Sequence, residues 1–322
     1  LNFTDTEMEG ALQIVRRRVP PTPTHAWPQL AMRTGVELYV KHENHTPTGS
    51  FKARGGLVYI DSLCRQTRPD GLVTATRGNH GQSIALAARA AGITPIVVVP
   101  EQNSEEKNAA MKAFGAELLI RGRDFDEARA IAAQEAGDRG FLLVPSFHRE
   151  IVRGVATYGW ELFTQLPDLD AVIVPIGVGT GICGLIAMRD LFGLRTEIVG
   201  VVAEQAPAFA MRYRGYELPG PAVAASFADG LACREPPDEA VAIVRHGAAD
   251  VVQVSEDEIA DAIRTFYETT HNLAEGAGAA SLAALFRLRE RYRGKRVAII
   301  LSGGNIDRAV MAAILAGDTP RP

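Results

Sequence analysis

The sequence has few cysteines, few aromatic residues and no long apolar run, and each shortage removes a class of protein. It holds three cysteines, Cys64, Cys183 and Cys233. They are an odd number, far apart and without a CxxC pair, which argues against a disulfide framework and a cysteine-based zinc site. No stretch of about 18 apolar residues occurs, so no membrane-spanning helix is expected. The longest apolar runs, "PIVVVP" and "AVIVPIG", are strand-length. The N-terminal "LNFTDTEMEG" is acidic and lacks the apolar centre of a secretory signal. Lysine and arginine number 34 against 38 acidic residues, a formal charge of -4. That balance lacks the basic excess a nucleic-acid partner needs. What remains is 47% apolar and 22% charged over 322 residues, a globular composition with room for one large domain or two modest ones. A cytoplasmic enzyme with a small-molecule substrate is the expected class.

Along the chain, Ala-rich helical segments alternate with short β-branched runs. In "GQSIALAARAAGITPIVVVP", Ile84, Ala87, Ala88 and Ala91 follow helical spacing, Gly92 stops the helix, and Ile96–Val99 reads as a buried strand. "EEKNAAMKAFGAELLI" repeats the arrangement, with Gly115 as the stop and a strand over Glu117–Ile120. Further strands are predicted at Glu37–Lys41, Gly71–Thr74, Ala171–Pro175, Glu197–Val202 and Arg296–Leu301. Ser255 and Glu258 form a capping box that starts a helix. Such alternation predicts βαβ units and parallel sheets. About eight strands or more are too many for one compact layer, so the expectation is two α/β lobes with a cleft at the carboxyl ends of the strands.

Three strand–turn–helix junctions have bare backbone where that cleft would be. "VIVPIGVGTGICG" places Gly177, Gly179, Gly181 and Gly184 at the start of an apolar helix, where successive N–H groups form an anion nest. A phosphate suits it. The spacing alone also overlaps with dinucleotide loops, and Glu204 ends the next strand, so a nucleotide remains a second reading at this point. It is not a P-loop, because no Gly-Lys-Ser/Thr follows. "TATRGNHGQS" sets Asn79 and His80 between two glycines, and "LSGGNID" sets Ser302 at the end of a strand. The run "HTPTGSFKARGG" adds Lys52 in a small-residue segment. A lysine and an anion nest in one cleft suit a phosphorylated aldehyde cofactor.

Taken together, "TGSFKARGG", "RGNHGQS", "GVGTGICG" and "LSGGNID" resemble the fold-type II pyridoxal-phosphate enzymes, in particular the serine/threonine dehydratase family with its threonine deaminases and serine racemases. The likeness runs from about Pro21 to Asp307. It implies a tryptophan synthase β-like fold, with two three-layer α/β/α lobes around a cleft. Residues 1–51 and 147–322 would form the large cofactor-binding domain and 52–146 a small mobile domain. It implies pyridoxal 5'-phosphate as the cofactor and a homodimer as a common assembly. Lys52 would carry the cofactor and remove the Cα proton, and Phe51 would pack near the ring. Asn79 would hydrogen-bond the ring's phenolic oxygen. Gly177, Val178, Gly179, Thr180 and Gly181 would cradle the phosphate, and Ser302 would face the pyridine nitrogen. Thr76, Asn79 and the His80 backbone would hold the substrate carboxylate. A neutral serine cannot keep the ring nitrogen charged, which favours β-elimination over transamination. The implied reaction removes water from an L-3-hydroxy amino acid to give a 2-oxo acid and ammonia.

The chain also departs from its relatives. Ala53 stands where threonine synthases often carry an acidic residue. Arg77 stands where serine racemases have a serine that serves as acid and base. An arginine is a poor proton shuttle, so little racemase activity is expected; Arg77 either points to solvent or binds substrate. Glu204 keeps one ligand of a divalent-metal site known in relatives, but Ala210 replaces a second carboxylate, so no metal is expected. No segment of regulatory-domain length follows "SGGNID", so feedback by isoleucine is not expected. His45, His148, Arg149, Arg153 and Tyr158 are candidates to shape the side-chain pocket. Phenylserine or hydroxyaspartate would then rival threonine and serine as substrates. A dinucleotide enzyme and a non-catalytic binder of this fold are the readings from other classes.

Overall fold

Strand residues of this chain alternate between two buried faces, and that pattern sets the architecture. In the computed structural model, which describes residues 1–218, 222 and 224–321, the strands are β1 (Thr24–Ala26), β2 (Glu37–His42), β3 (Gly71–Ala75), β4 (Thr94–Val99), β5 (Glu117–Ile120), β6 (Leu142–Leu143), β7 (Ala171–Pro175), β8 (Glu197–Ala203), β9 (Asp250–Val254) and β10 (Arg296–Leu301). They form a six-stranded sheet of order β1-β2-β10-β7-β8-β9 and a four-stranded sheet of order β5-β4-β3-β6. Every pairing is parallel except β1 with β2.

In the larger sheet, Val172, Val174, Ala298 and Ile300 face one core, with helices Arg149–Gln165 and Thr180–Leu191 packed over them. Their neighbours Ala171, Ile173, Val297 and Ile299 face a second core under helices Glu256–Thr270 and Gly276–Leu288. Burial of both faces is the rule for parallel sheets and explains the unbroken apolar runs. The smaller sheet, confined to residues 71–143, has its own core of Val73, Ile96 and Val98 against Ala128, Ala132 and Ala136.

The strands predicted at Glu117–Ile120, Ala171–Pro175 and Arg296–Leu301 are found with those limits. The Ser255–Glu258 capping box is present, and Gly92 ends its helix as a left-handed C-cap. Strands β1, β6 and β9 and the first helix, Asp5–Arg16, go beyond the sequence reading. That helix opens with a second capping box, Thr4 with Glu7. The two sheets put the carboxyl ends of β2, β3, β7 and β10 around one depression. Its walls are the loops that follow these strands.

Candidate active site

Lys52 is the first residue of the helix Lys52–Gln66, just past the loop that follows β2. Two main-chain links hold this approach against β10. The Phe51 N–H donates to the Ser302 carbonyl at 3.0 Å, and Ser50 forms an isolated bridge with Gly303. Beneath the helix lies a buried ionic knot. Arg54 donates to Glu43 at 2.7 Å and to Glu161 at 2.8 Å, and it also reaches the hydroxyls of Thr157 and Thr22. Lys41 donates to Glu161 at 2.7 Å. Burial opposes the charge of Arg54, but Glu43 and Glu161 outweigh it and raise its pKa further. The acceptors around the guanidinium come from three segments outside its own helix, Thr22, Glu43 and the Thr157–Glu161 turn, so the knot fixes the lysine helix against the end of β2 and the Arg149–Gln165 helix.

The turn after β3 forms the second wall. Thr76 Oγ1 accepts from the Gly78 N–H at 3.0 Å and from the Gly81 N–H at 3.4 Å. The threonine therefore shapes the turn and keeps its own proton for a ligand. Asn79 Nδ2 donates to Glu275 Oε1 at 2.7 Å, and its Oδ1 accepts from Asn305 at 2.7 Å. Its orientation is thereby set, and the second Nδ2 proton remains available. His80 Nε2 is buried without a hydrogen-bond partner among the described residues. Burial, with Lys52 nearby, pushes its pKa down to about 3, so the ring is neutral at pH 7.

The third wall is the glycine loop after β7. A Cβ on Gly177 would lie 2.3 Å from the Gly230 carbonyl oxygen, and Gly179 adopts a φ of 98° as the N-cap of helix Thr180–Leu191. No other residue fits both positions without strain. The first N–H groups of that helix have no helical acceptor and open onto the loop. Tyr158 donates its hydroxyl to the Gly181 carbonyl at 2.9 Å, and Phe51 meets the Tyr158 ring edge-on at 6.1 Å. Phe51, Lys52, Asn79, Gly177–Gly181 and Ser302 enclose the deep end of the depression. Above them opens a cavity of about 220 Å³ that Lys52, Thr76, Arg77, Asn79, His80, Gly177, Val178 and Thr180 also line.

Burial lowers the Lys52 ammonium from its ordinary value, against the opposing pull of Glu275 and Cys233. The same burial pushes Glu275 up to about 7, although Lys107 and the Asn79 hydrogen bond favour its charge. Cys233 is pushed up to about 11 by burial and stays a thiol. A raised carboxyl has a defined consequence for stability. Glu275 stabilises the fold most below its ordinary range near 4.5, and that contribution is lost as pH rises toward 7. Glu275→Gln does not titrate and keeps an acceptor for Asn79. The variant should gain stability relative to the parent by about 1–3 kcal/mol between pH 4.5 and 8. Urea unfolding midpoints across that range check it; parallel curves for the two proteins would refute the shift.

Glu275, Lys107, Asp229 and Cys233 line the cavity, and none of them is among the site residues expected from the sequence. Glu275 had a faint signal, an acidic residue just before the glycine- and alanine-rich start of a helix. Lys107 and Asp229 had none, since they lie 122 residues apart and meet at 2.5 Å. The opposite error concerns five expected pocket residues, none of which lines the cavity. His45 is exposed and bonded to Asn272. His148 caps the helix Arg149–Gln165 and meets Tyr59 edge-on. Arg149 pairs with Glu7, and Arg153 with Glu150. Tyr158 lies behind the glycine loop. Glu204 is held by Arg287 at 2.8 Å and Ala210 is fully buried; among the described residues no cluster of three ligand-type side chains could hold a metal. None of their helices is long and apolar enough to cross a membrane.

Residues 15–303 match the family model described as pyridoxal-phosphate dependent enzyme. The L-threonine ammonia-lyase of Geobacter sulfurreducens is 36% identical over 312 residues, 96% of this chain and 77% of that protein. The processed form of threonine deaminase isoform 2 from Solanum lycopersicum superposes with a TM-score of 0.88 at 27% identity, over 98% of this chain and 95% of that one. Maize serine racemase superposes with a TM-score of 0.89 at 25% identity, over 98% of both chains.

Proposed function

The chain belongs to the pyridoxal-phosphate dependent enzyme family, and we propose that it is an ammonia-lyase that removes water from an L-3-hydroxy amino acid, the class to which threonine and serine belong. The products are a 2-oxo acid and ammonia. One observation supports this most directly: Lys52, the Asn79 turn and the glycine loop share one enclosed space. The space fits pyridoxal phosphate. Its glycine cradle would be filled by a single Cβ at Gly177, its helix N-terminus suits a phosphate, and His80 Nε2 is an orphaned polar atom at its wall.

When bound, pyridoxal phosphate supplies an aldehyde for the substrate amine and a ring that takes up the charge released at Cα. The protein's part is to hold and to move protons. The N–H groups of Gly177–Gly181 would hold the phosphate, and Phe51 and Ser302 would bound the ring. Thr76, with its free hydroxyl proton, Asn79 and the His80 N–H would hold the substrate carboxylate. Burial lowers the pKa of Lys52, which favours the neutral amine that would take up the Cα proton. Residues 52–146 are proposed to move as a lid that excludes water. Polar pairs already cross the cleft at Lys107–Asp229 and Ser104–Asp307. The direct test is to incubate the protein with pyridoxal phosphate and a panel from serine to phenylserine, and to measure 2-oxo acid and ammonia. Equal amounts of both products are expected; neither product from any member of the panel would overturn the reading.

A further inference from the structure

The open cavity carries more positive charge than the proposed chemistry uses. Besides Lys52 it is lined by Lys107, Arg129, Arg234 and Arg77. Three of these cations are already matched. Lys107 donates to Asp229 Oδ2 at 2.5 Å, Arg234 to Asp126 at 2.6 Å and Arg129 to Glu235 at 3.2 Å. Arg77 differs. Its Nη1 lies 3.6 Å from the remaining Asp229 oxygen, outside hydrogen-bonding distance, and its guanidinium makes no hydrogen bond among the described residues. Asp229 is the ion-pair partner of both Arg77 and Lys107, so one carboxylate serves two cations and the three groups together carry one net positive charge. At 45% side-chain exposure Arg77 is reachable from the cavity mouth. It also directly follows Thr76 on the turn that leads to Asn79 and His80, next to where the α-carboxylate would sit.

A guanidinium is permanently charged and offers paired donors that match a carboxylate. A methyl or hydroxymethyl side chain has no use for it. We propose that the site selects amino acids with a second carboxylate on Cβ, the 3-hydroxyaspartate class, and that Arg77 is the residue that selects them. The turnover part of this rests on the ammonia-lyase reading. The Cα–H and Cβ–O bonds break and water leaves. Water then returns in hydrolysis of the released enamine, so the net products are a 2-oxo dicarboxylic acid and ammonia.

Two measurements on the full chain with pyridoxal phosphate test the proposal. The first is calorimetric binding of two unreactive mimics, malate and 3-hydroxybutyrate, which differ in a carboxylate against a methyl group. Malate should bind about 10-fold tighter or more, Arg77→Gln should remove that preference, and Arg77→Lys should restore part of it. The second is the ratio of kcat/KM for threo-3-hydroxyaspartate over threonine. It should exceed one in the parent and fall about 10-fold in Arg77→Gln. A parent that favours threonine, serine or phenylserine, or a ratio unmoved by Arg77→Gln, overturns the proposal and leaves the ammonia-lyase reading intact. Malate preference that depends on Arg77, without turnover of any 3-hydroxy amino acid, supports the anion site and overturns the lyase reading instead.

Discussion

Lys52→Ala should lower kcat/KM for 3-hydroxy amino acids by about 10²–10⁴-fold or more, because it removes both the attachment point and the proton carrier. The loss should not come from unfolding. Lys52 is penalised by burial, and an alanine there removes that penalty without stranding a hydrogen-bond partner. A second readout separates Lys52 from its neighbour Lys107, which lines the same cavity. Borohydride reduction of the parent loaded with pyridoxal phosphate, followed by peptide mass mapping, should place the label on the peptide that contains Lys52. Label on Lys107, or undiminished turnover by Lys52→Ala, would take Lys52 out of the chemistry.

The largest effect on stability should come from Arg54→Met. Arg54 and Glu43 have fully buried side chains and Glu161 a nearly buried one. Removing the guanidinium strands two carboxylates away from water, with Lys41 left to serve Glu161 alone. Breaking a buried pair in this way costs about 3–5 kcal/mol. The cost belongs to the stranded charge more than to the lost contact, and a double-mutant cycle reveals it. Glu43→Gln should recover part of the loss in the Arg54→Met background, although it destabilises the parent. Denaturant unfolding of the four proteins gives the cycle. Additive effects would mean that the two side chains do not act as one unit. Because the knot underlies the lysine helix, the surviving folded fraction of Arg54→Met should also bind pyridoxal phosphate more weakly.

Particular residues show what could be read without coordinates. Glu117–Ile120, Ala171–Pro175 and Arg296–Leu301 were legible as strands because parallel strands buried on both faces are short apolar runs. The strands that escaped are edge elements. Strand β1 has three partly or fully exposed residues, and β6 has only two residues in all. Neither has enough apolar pattern to stand out. At the site, Lys52, Asn79, Gly177–Gly181 and Ser302 were legible because each lies in a local strand–turn–helix junction whose residue types state a backbone requirement. His45, His148, Arg149 and Arg153 misled for the complementary reason. A polar residue near a motif in sequence says nothing about which way its side chain points.

By itself, the sequence determined the α/β class, the alternation of strands and helices along the chain, the three bare turns and the lysine segment. All of these depend on local spacing and on the conformations that glycine alone permits. Tertiary structure decided the rest. It joined Asn79 to Glu275 across 196 residues and Lys107 to Asp229 across 122, and it tied Arg54 to Glu161 across 107. It also left Arg77 on the cavity wall without a hydrogen-bonded carboxylate among the described residues. Whether a charge is matched or spare depends on partners brought together by folding, and no spacing along the chain records that.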